Sequence, residues 1–236
     1  MDKRAVILAG GKGTRLKPFT LVLPKPLVPV DEYPILEIVI RQLAQFNFNH
    51  ITIAVNHQAD LIKAFFGNGE KWNIKIDYSK EEKPLSTMGP LKLIKDLPED
   101  FLVMNGDILT DLDYSNFYRT HVTNKELYTI LSKKREDKVE YGILETNEAN
   151  SLIGFKEKPV NHYQVSTGIY MVNKKVLNDI PYNTSFGFDQ LMLKFINDNK
   201  NVKVQPFDGY WLDIGRPDDY EKATDIFSKN KKNFLK

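Results

Sequence analysis

The chain contains no cysteine and only four histidines. A disulfide framework and a thiolate metal site are therefore excluded, and a few scattered histidines do not make a zinc centre. Charge of one sign is not in excess either: 33 Lys and Arg face 31 Asp and Glu, a net charge of +2. Nucleic-acid binding needs a clustered basic excess, so no nucleic-acid partner is expected. No apolar run approaches the roughly 20 residues that span a bilayer, and no membrane partner is expected. The opening stretch MDKRAVILAGG turns glycine-rich too soon for a signal peptide. These absences predict a soluble, cytoplasmic protein.

What is present suits a packed core. Hydrophobic residues make up 42% of 236 residues, enough for one large domain. Short apolar runs alternate with amphipathic stretches, the pattern of an α/β sheet. Strands are predicted over 4–8, 51–55, 74–78, 101–105 and 127–132. Between them, Pro34 opens a helix with Ile35, Ile38, Val39, Leu43 and Phe46 on one face. Further helices are predicted over Ala59–Phe66, stopped by Gly67, and more weakly over 88–95 and 114–121. The second half adds strands over 142–146, 152–156, 167–172 and 202–206, a helix over Phe188–Asn197 and a closing helix over 217–227. The pattern is a single α/β domain with a mixed, mostly parallel central sheet flanked by helices. It is expected to occupy residues 1–228, followed by a polar, basic, frayed tail over 229–236.

Ligands of open α/β sheets bind beyond the carboxyl ends of the strands. After the first strand come Gly10-Gly11-Lys12-Gly13-Thr14-Arg15. Glycines let backbone N–H groups turn toward an anion, and Arg15 and Lys25 add charge for phosphate oxygens. Prolines 24 and 26 fix the backbone on both sides of Lys25. Two familiar phosphate loops fail here. The only Gly-Lys pair is followed by Gly13 rather than Ser or Thr, and Leu16 stands where a dinucleotide fingerprint needs its third glycine. Asp107 in NGD and Asp213 in WLDIG each follow an apolar run, where a sheet offers its carboxyl edge. Two carboxylates from distant loops suit a hard divalent cation. Asp111-Leu112-Asp113 forms a D-x-D that holds metals in glycosyltransferases; just ahead of a helical stretch, it reads here as helix capping.

LAGGKGTRLKPFT followed by LPKPLVPV resembles the signature of the sugar-1-phosphate nucleotidylyltransferases, the nucleotide-sugar pyrophosphorylases. EKPLSTMGPL, MNGDIL, FKEKP, STGIYMV and WLDIGRPDDY follow in that family's order, so the resemblance covers nearly the whole chain. It implies a Rossmann-like nucleotidyltransferase fold. The implied reaction joins a nucleoside triphosphate to a sugar 1-phosphate with Mg2+, giving an NDP-sugar and pyrophosphate. It assigns catalysis to Arg15, Lys25 and Asp107. Nucleotide binding falls to Leu8, Ala9, Gly10, Gly11, Gly13, Thr14, Glu82, Pro84 and Gly89. The sugar phosphate falls to Asn105, Gly106, Gly142, Glu157, Lys158, Thr167 and Gly168, and the metal to Asp107 and Asp213.

Ser86 and Met88 replace a glycine and an alanine of the commonest family pattern, which leaves the base open. Pro90-Leu91 after Gly89 resembles the guanylyltransferase branch, so GTP with mannose 1-phosphate or a heptose 1-phosphate is the first expectation. Uridylyl, cytidylyl or thymidylyl transfer to another sugar 1-phosphate is the alternative, and a silent nucleotide-sugar-binding module is the alternative class. The catalytic core alone is expected, and a homodimer by analogy. Trp211 and Phe155 are assigned to neither pocket nor core.

Overall fold

The computed structural model describes residues 3–11, 13–56 and 58–235. In chain order, β1 (Lys3–Leu8) is followed by the short strands β2 (Pro29–Val30) and β3 (Tyr33–Pro34), helix α1 (Ile35–Gln45), β4 (Phe48–Val55), α2 (Ala59–Phe66) and β5 (Lys75–Lys80). Then come β6 (Asp100–Asn105), β7 (Ile108–Thr110), α3 (Tyr114–Thr123), β8 (Tyr128–Lys138), β9 (Ile143–Thr146), β10 (Leu152–Lys156) and β11 (Val160–Asn173). Helix α4 (Phe188–Asn197), β12 (Lys203–Pro206), β13 (Trp211–Asp213) and α5 (Pro217–Phe234) close the chain.

Seven strands form the central sheet in the order β12-β8-β11-β6-β1-β4-β5. Only β11 runs against its neighbours, pairing antiparallel with β6 and β8; the other pairs are parallel. Strand β1 shows why both faces are covered. Its Ala5 and Ile7 join one apolar cluster with α1, α2 and α3, while Val6 joins a second with Val103, Val172, Leu191 and Phe195. Alternate side chains of a strand point to opposite faces, so an unbroken apolar run needs two layers of cover. A third cluster, with Leu16, Val28, Ile35, Leu109, Ile214 and Phe227, lies under the loops around β7, β13 and α5.

Several elements differ from their predicted bounds for identifiable reasons. The 88–95 segment is a short 3-10 turn over Gly89–Leu93 rather than an α-helix. Strand β8 runs on to Lys138 because its charged half pairs with the start of β11, Lys138 opposite Val160, as a ribbon outside the core. Both faces of that ribbon are wet, so it carries no apolar alternation. Helix α5 continues, across a kink at Asn230, to Phe234, whose side chain is buried in the third cluster. Most of the segment expected as a frayed tail is therefore helical.

Candidate active site

The carboxyl ends of β1, β4 and β6 open into one cleft of about 760 Å3. Of the sequence-predicted site residues, Leu8, Ala9, Gly10, Gly11, Gly13, Thr14, Arg15, Lys25, Pro84, Asn105, Gly106 and Asp107 line it. The turn after β1 is held by Ala9 N–H donating to the Ala54 carbonyl at 2.9 Å. Gly13 sits at φ +62°, and a Cβ there would lie 2.9 Å from Cγ2 of Thr20, whose hydroxyl donates to the Gly13 carbonyl at 2.7 Å. The loop thus folds back on itself at a point only glycine fits. Lys12 lies outside the described residues.

Behind Pro24, Lys25 reaches across the cleft and forms an ion pair with Asp107 Oδ2. The two side chains are only 12% and 20% exposed. Asp107 occupies the turn between β6 and β7, and its carbonyl accepts Ile214 N–H at 3.0 Å. That bond and the antiparallel pairing of β13 with β7, Asp213 opposite Ile108, bring the two aspartates together. Asp213 stands just behind the wall formed by Gly215, where an added Cβ would meet Arg15 Nη2 and Asp213 Oδ1, each at 3.7 Å. Burial pushes the Asp213 carboxyl up, the Asp107 charge pushes it further, and Lys25 and Arg15 oppose the shift. Asp107 Oδ1 is buried with no hydrogen-bond partner. An orphaned carboxylate oxygen beside a second destabilised carboxylate is a donor set that suits a hard cation. No three His, Asp or Glu are grouped so as to hold a metal ion among the described residues, so the remaining ligands of such a cation would come from elsewhere.

The D-x-D pair is structural, as its position before α3 predicts. Asp113 Oδ1 accepts Asn116 N–H at 2.8 Å and caps α3, and Asp111 Oδ1 accepts Tyr210 N–H at 2.8 Å.

Other predicted residues fall outside the cleft. Glu82 lines a neighbouring cavity with Arg4, His50 and Asp77; Glu81 is the glutamate that faces the cleft. Glu81 is 6% exposed, and its Oε2 accepts Leu85 N–H at 2.8 Å. Burial raises its pKa, and the Leu85 N–H works against that shift. Strand pairing decides between the two: Ser79 pairs with cleft-lining Ala54, and Glu81 is two residues on, on the same face. Gly89 is buried behind the wall with its N–H on the Phe186 carbonyl, and Pro90 lines the cleft instead.

Thr167 is buried, donates to the Leu131 carbonyl at 2.8 Å and accepts Trp211 Nε1–H on its own carbonyl at 2.9 Å. Trp211 is therefore packed against the core rather than free in the cleft. Gly168, at φ +75°, abuts Asn105: a Cβ would come within 2.6 Å of Asn105 Nδ2. Gly142, Glu157 and Lys158 belong to the exposed β9–β10 arm and do not line the cleft. There Phe155, 57% exposed, covers Gly142. Asn56, Ser86 and Thr87 complete the wall without having been singled out as site residues.

This fold and cleft are those of the Nucleotidyl transferase family, whose sequence profile matches residues 4–230; the chain belongs to that family, with its Rossmann-like α/β fold. Among its relatives is the mannose-1-phosphate guanyltransferase of Aspergillus oryzae, 34% identical over 95% of this chain. The chain spans 64% of that relative's length. The D-glycero-alpha-D-manno-heptose 1-phosphate guanylyltransferase of Campylobacter jejuni is 33% identical over 92% of this chain and 96% of its own. HddC from Yersinia pseudotuberculosis, solved in complex with GMP-PN, superposes with a TM-score of 0.73 at 29% identity, over 95% of this chain and 99% of its own.

Proposed function

We propose that this protein transfers a nucleoside monophosphate from a nucleoside triphosphate to a sugar 1-phosphate, forming an NDP-sugar and releasing pyrophosphate. The preferred substrates are GTP with mannose 1-phosphate or a heptose 1-phosphate, in keeping with the named relatives. One observation carries the reading: a glycine turn, Arg15, Lys25 and the Asp107–Asp213 pair converge at one end of a single cleft. The catalytic domain in this reading takes in α5 as far as Phe234 and acts in the cytoplasm.

A phosphate oxygen of the sugar 1-phosphate attacks the α-phosphorus in line. The bond from that phosphorus to the bridging oxygen breaks, and pyrophosphate leaves. The nucleophile is already anionic, so no covalent enzyme intermediate and no general base are required. What remains is alignment and charge neutralisation, and alignment alone can supply about 7–11 kcal/mol. Gly11 presents bare backbone to the cleft, since a Cβ there would meet nothing within 4 Å. The turn thereby cradles the leaving phosphates, and Arg15 neutralises them. Lys25 passes from Asp107 to the transferring phosphoryl group. Asp107 and Asp213 would hold Mg2+, which supplies charge neutralisation of the triphosphate. Asn105 and Gly106 face the sugar phosphate, and Glu157 and Lys158 approach it from the exposed arm.

The test is pyrophosphate release with Mg2+ over a grid of GTP, UTP, CTP, dTTP and ATP against mannose, glucose, N-acetylglucosamine and heptose 1-phosphates. Turnover concentrated in the GTP row with mannose or heptose 1-phosphate is expected. A grid dark throughout, with folded protein, would sink the proposal.

A further inference from the structure

Arg15 sits on a stretch of chain with little to hold it. Between Thr14 and Leu23 only Leu16 is buried, and Thr14, Arg15 and residues 17–19 are exposed. Leu16 is fastened in the third apolar cluster, and the Thr20 hydroxyl donates to the Gly13 carbonyl at 2.7 Å. A further tie, Gln58 Nε2 to the Val22 carbonyl at 3.3 Å, is open to solvent. Beyond Leu16, Phe19 lays its ring against Tyr220, with centroids 4.8 Å apart and planes tilted by 39°.

Tyr220 is a firm support. Its N–H donates to the Arg216 carbonyl at 3.0 Å near the start of α5, and its carbonyl accepts the Thr224 hydroxyl at 3.0 Å. Tyr220, Ala223 and Phe227 share one face at i, i+3 and i+7 spacing, and the last two are fully buried in the third cluster. Phe19 is 41% exposed, so its contact with Tyr220 contributes little as core packing. What it does is fix one ring, and the loop that carries it, relative to the other. The same helix follows closely on Asp213 and Gly215. The Arg15 guanidinium lies over Gly215, with Nη2 3.7 Å from a Cβ built there. One helix therefore receives Asp213 at its approach and docks the Arg15 loop near its first turn.

Resting on the nucleotidyl-transfer reading above, the geometry points to Tyr220 as a positioning residue for Arg15. Tyr220 holds Phe19, Phe19 holds the exposed loop, and the guanidinium is thereby kept beside Asp213, where the leaving phosphates are neutralised. Tyr220 does not itself line the cleft. Losing the contact misaligns a charge without removing it, which lowers the rate through geometry.

Tyr220→Ala is expected to lower kcat/KM for the triphosphate about three- to tenfold. It should weaken pyrophosphate binding with Mg2+, read by calorimetry, by a similar factor, and leave KM for the sugar 1-phosphate unmoved. Phe19→Ala, at an exposed position outside α5, should reproduce both effects in a protein whose fold is not at stake. Tyr220→Phe keeps the ring contact and should rescue both. The deciding comparison is made in the Arg15→Ala background, where Tyr220→Ala should add nothing to either readout. A further loss there assigns Tyr220 to Asp213 or to α5 alone and overturns the inference. Wild-type turnover and pyrophosphate affinity in Tyr220→Ala overturn it as well. So does a parallel rise in KM for both substrates, the mark of general loosening. Each of these leaves nucleotidyl transfer standing. Absence of turnover in wild type with every triphosphate removes the functional reading and this one with it.

Discussion

Asp107 meets several demands with one side chain. Its Oδ2 takes Lys25, its Oδ1 is buried without a partner, and its charge raises the neighbouring Asp213. Deleting it should relieve Asp213 rather than strain the fold. Asp107→Ala is expected to lower kcat/KM at least about a hundredfold at saturating Mg2+ with little change in melting temperature. Near-normal turnover in that variant would remove Asp107 from the metal site. Arg15 lines the cleft beside Asp213 at the Gly215 wall, whereas Glu157 and Lys158 do not line it. Arg15→Ala should therefore lower kcat more than it raises KM for the sugar 1-phosphate. A selective loss of sugar-phosphate affinity would assign Arg15 to the other substrate. Glu81 and Glu82 show how fine the residue scale is: neighbours in sequence face separate cavities.

Elements place these residues because each is pinned by a few polar contacts. Helix α3 is tied to β8 and β6 through His121, whose Nδ1 lies 2.7 Å from Thr129 Oγ1 and whose Nε2 lies 3.4 Å from Asp100. Burial lowers the His121 pKa, with Asp100 opposing. The folded state therefore binds this proton less readily than the unfolded chain does. The contribution is full above the ordinary histidine pKa of about 6.5 and is lost as pH falls through that value toward the lower folded one. The urea midpoint should drop between pH values of about 7.5 and 5.5, and His121→Asn should flatten that dependence. An unchanged slope in the variant would place the pH sensitivity elsewhere. Helix α2 ends at Gly67, α4 spans Phe188–Asn197, and β10 spans Leu152–Lys156, each with the bounds its local pattern predicts. The β8–β11 ribbon and the last turns of α5 escaped that pattern. Charged strands paired outside a core carry no apolar period, and Phe234 is buried by distant partners rather than by its polar neighbours.

At the scale of the molecule, the cleft lies where the carboxyl ends of adjacent strands meet, so ligand binding there is coupled to the whole sheet. GTP with Mg2+ at about 100 times its dissociation constant should stabilise the fold by about 2.7 kcal/mol, read as a rise in melting temperature. Asp107→Ala should lose the Mg2+-dependent part of that rise and keep a nucleotide part. An identical rise with and without Mg2+ in wild type would argue against a metal on Asp107 and Asp213. No helix among the described residues is long and apolar enough to cross a membrane.

The sequence by itself determined the α/β class, the glycine turn after β1, the helix caps and most cleft residues near that turn. These depend on chain-local physics: side-chain period, the freedom of glycine, and the fixed φ of proline. Only the tertiary structure decided that Asp107 and Asp213 meet, through the pairing of β13 with β7. It also decided that Asp111 and Asp113 are spent on backbone N–H groups, that Trp211 serves Thr167, and that Glu81 rather than Glu82 faces the cleft. Those outcomes depend on which distant strands pair and on the face each side chain then occupies, and neither is encoded within a short stretch of chain.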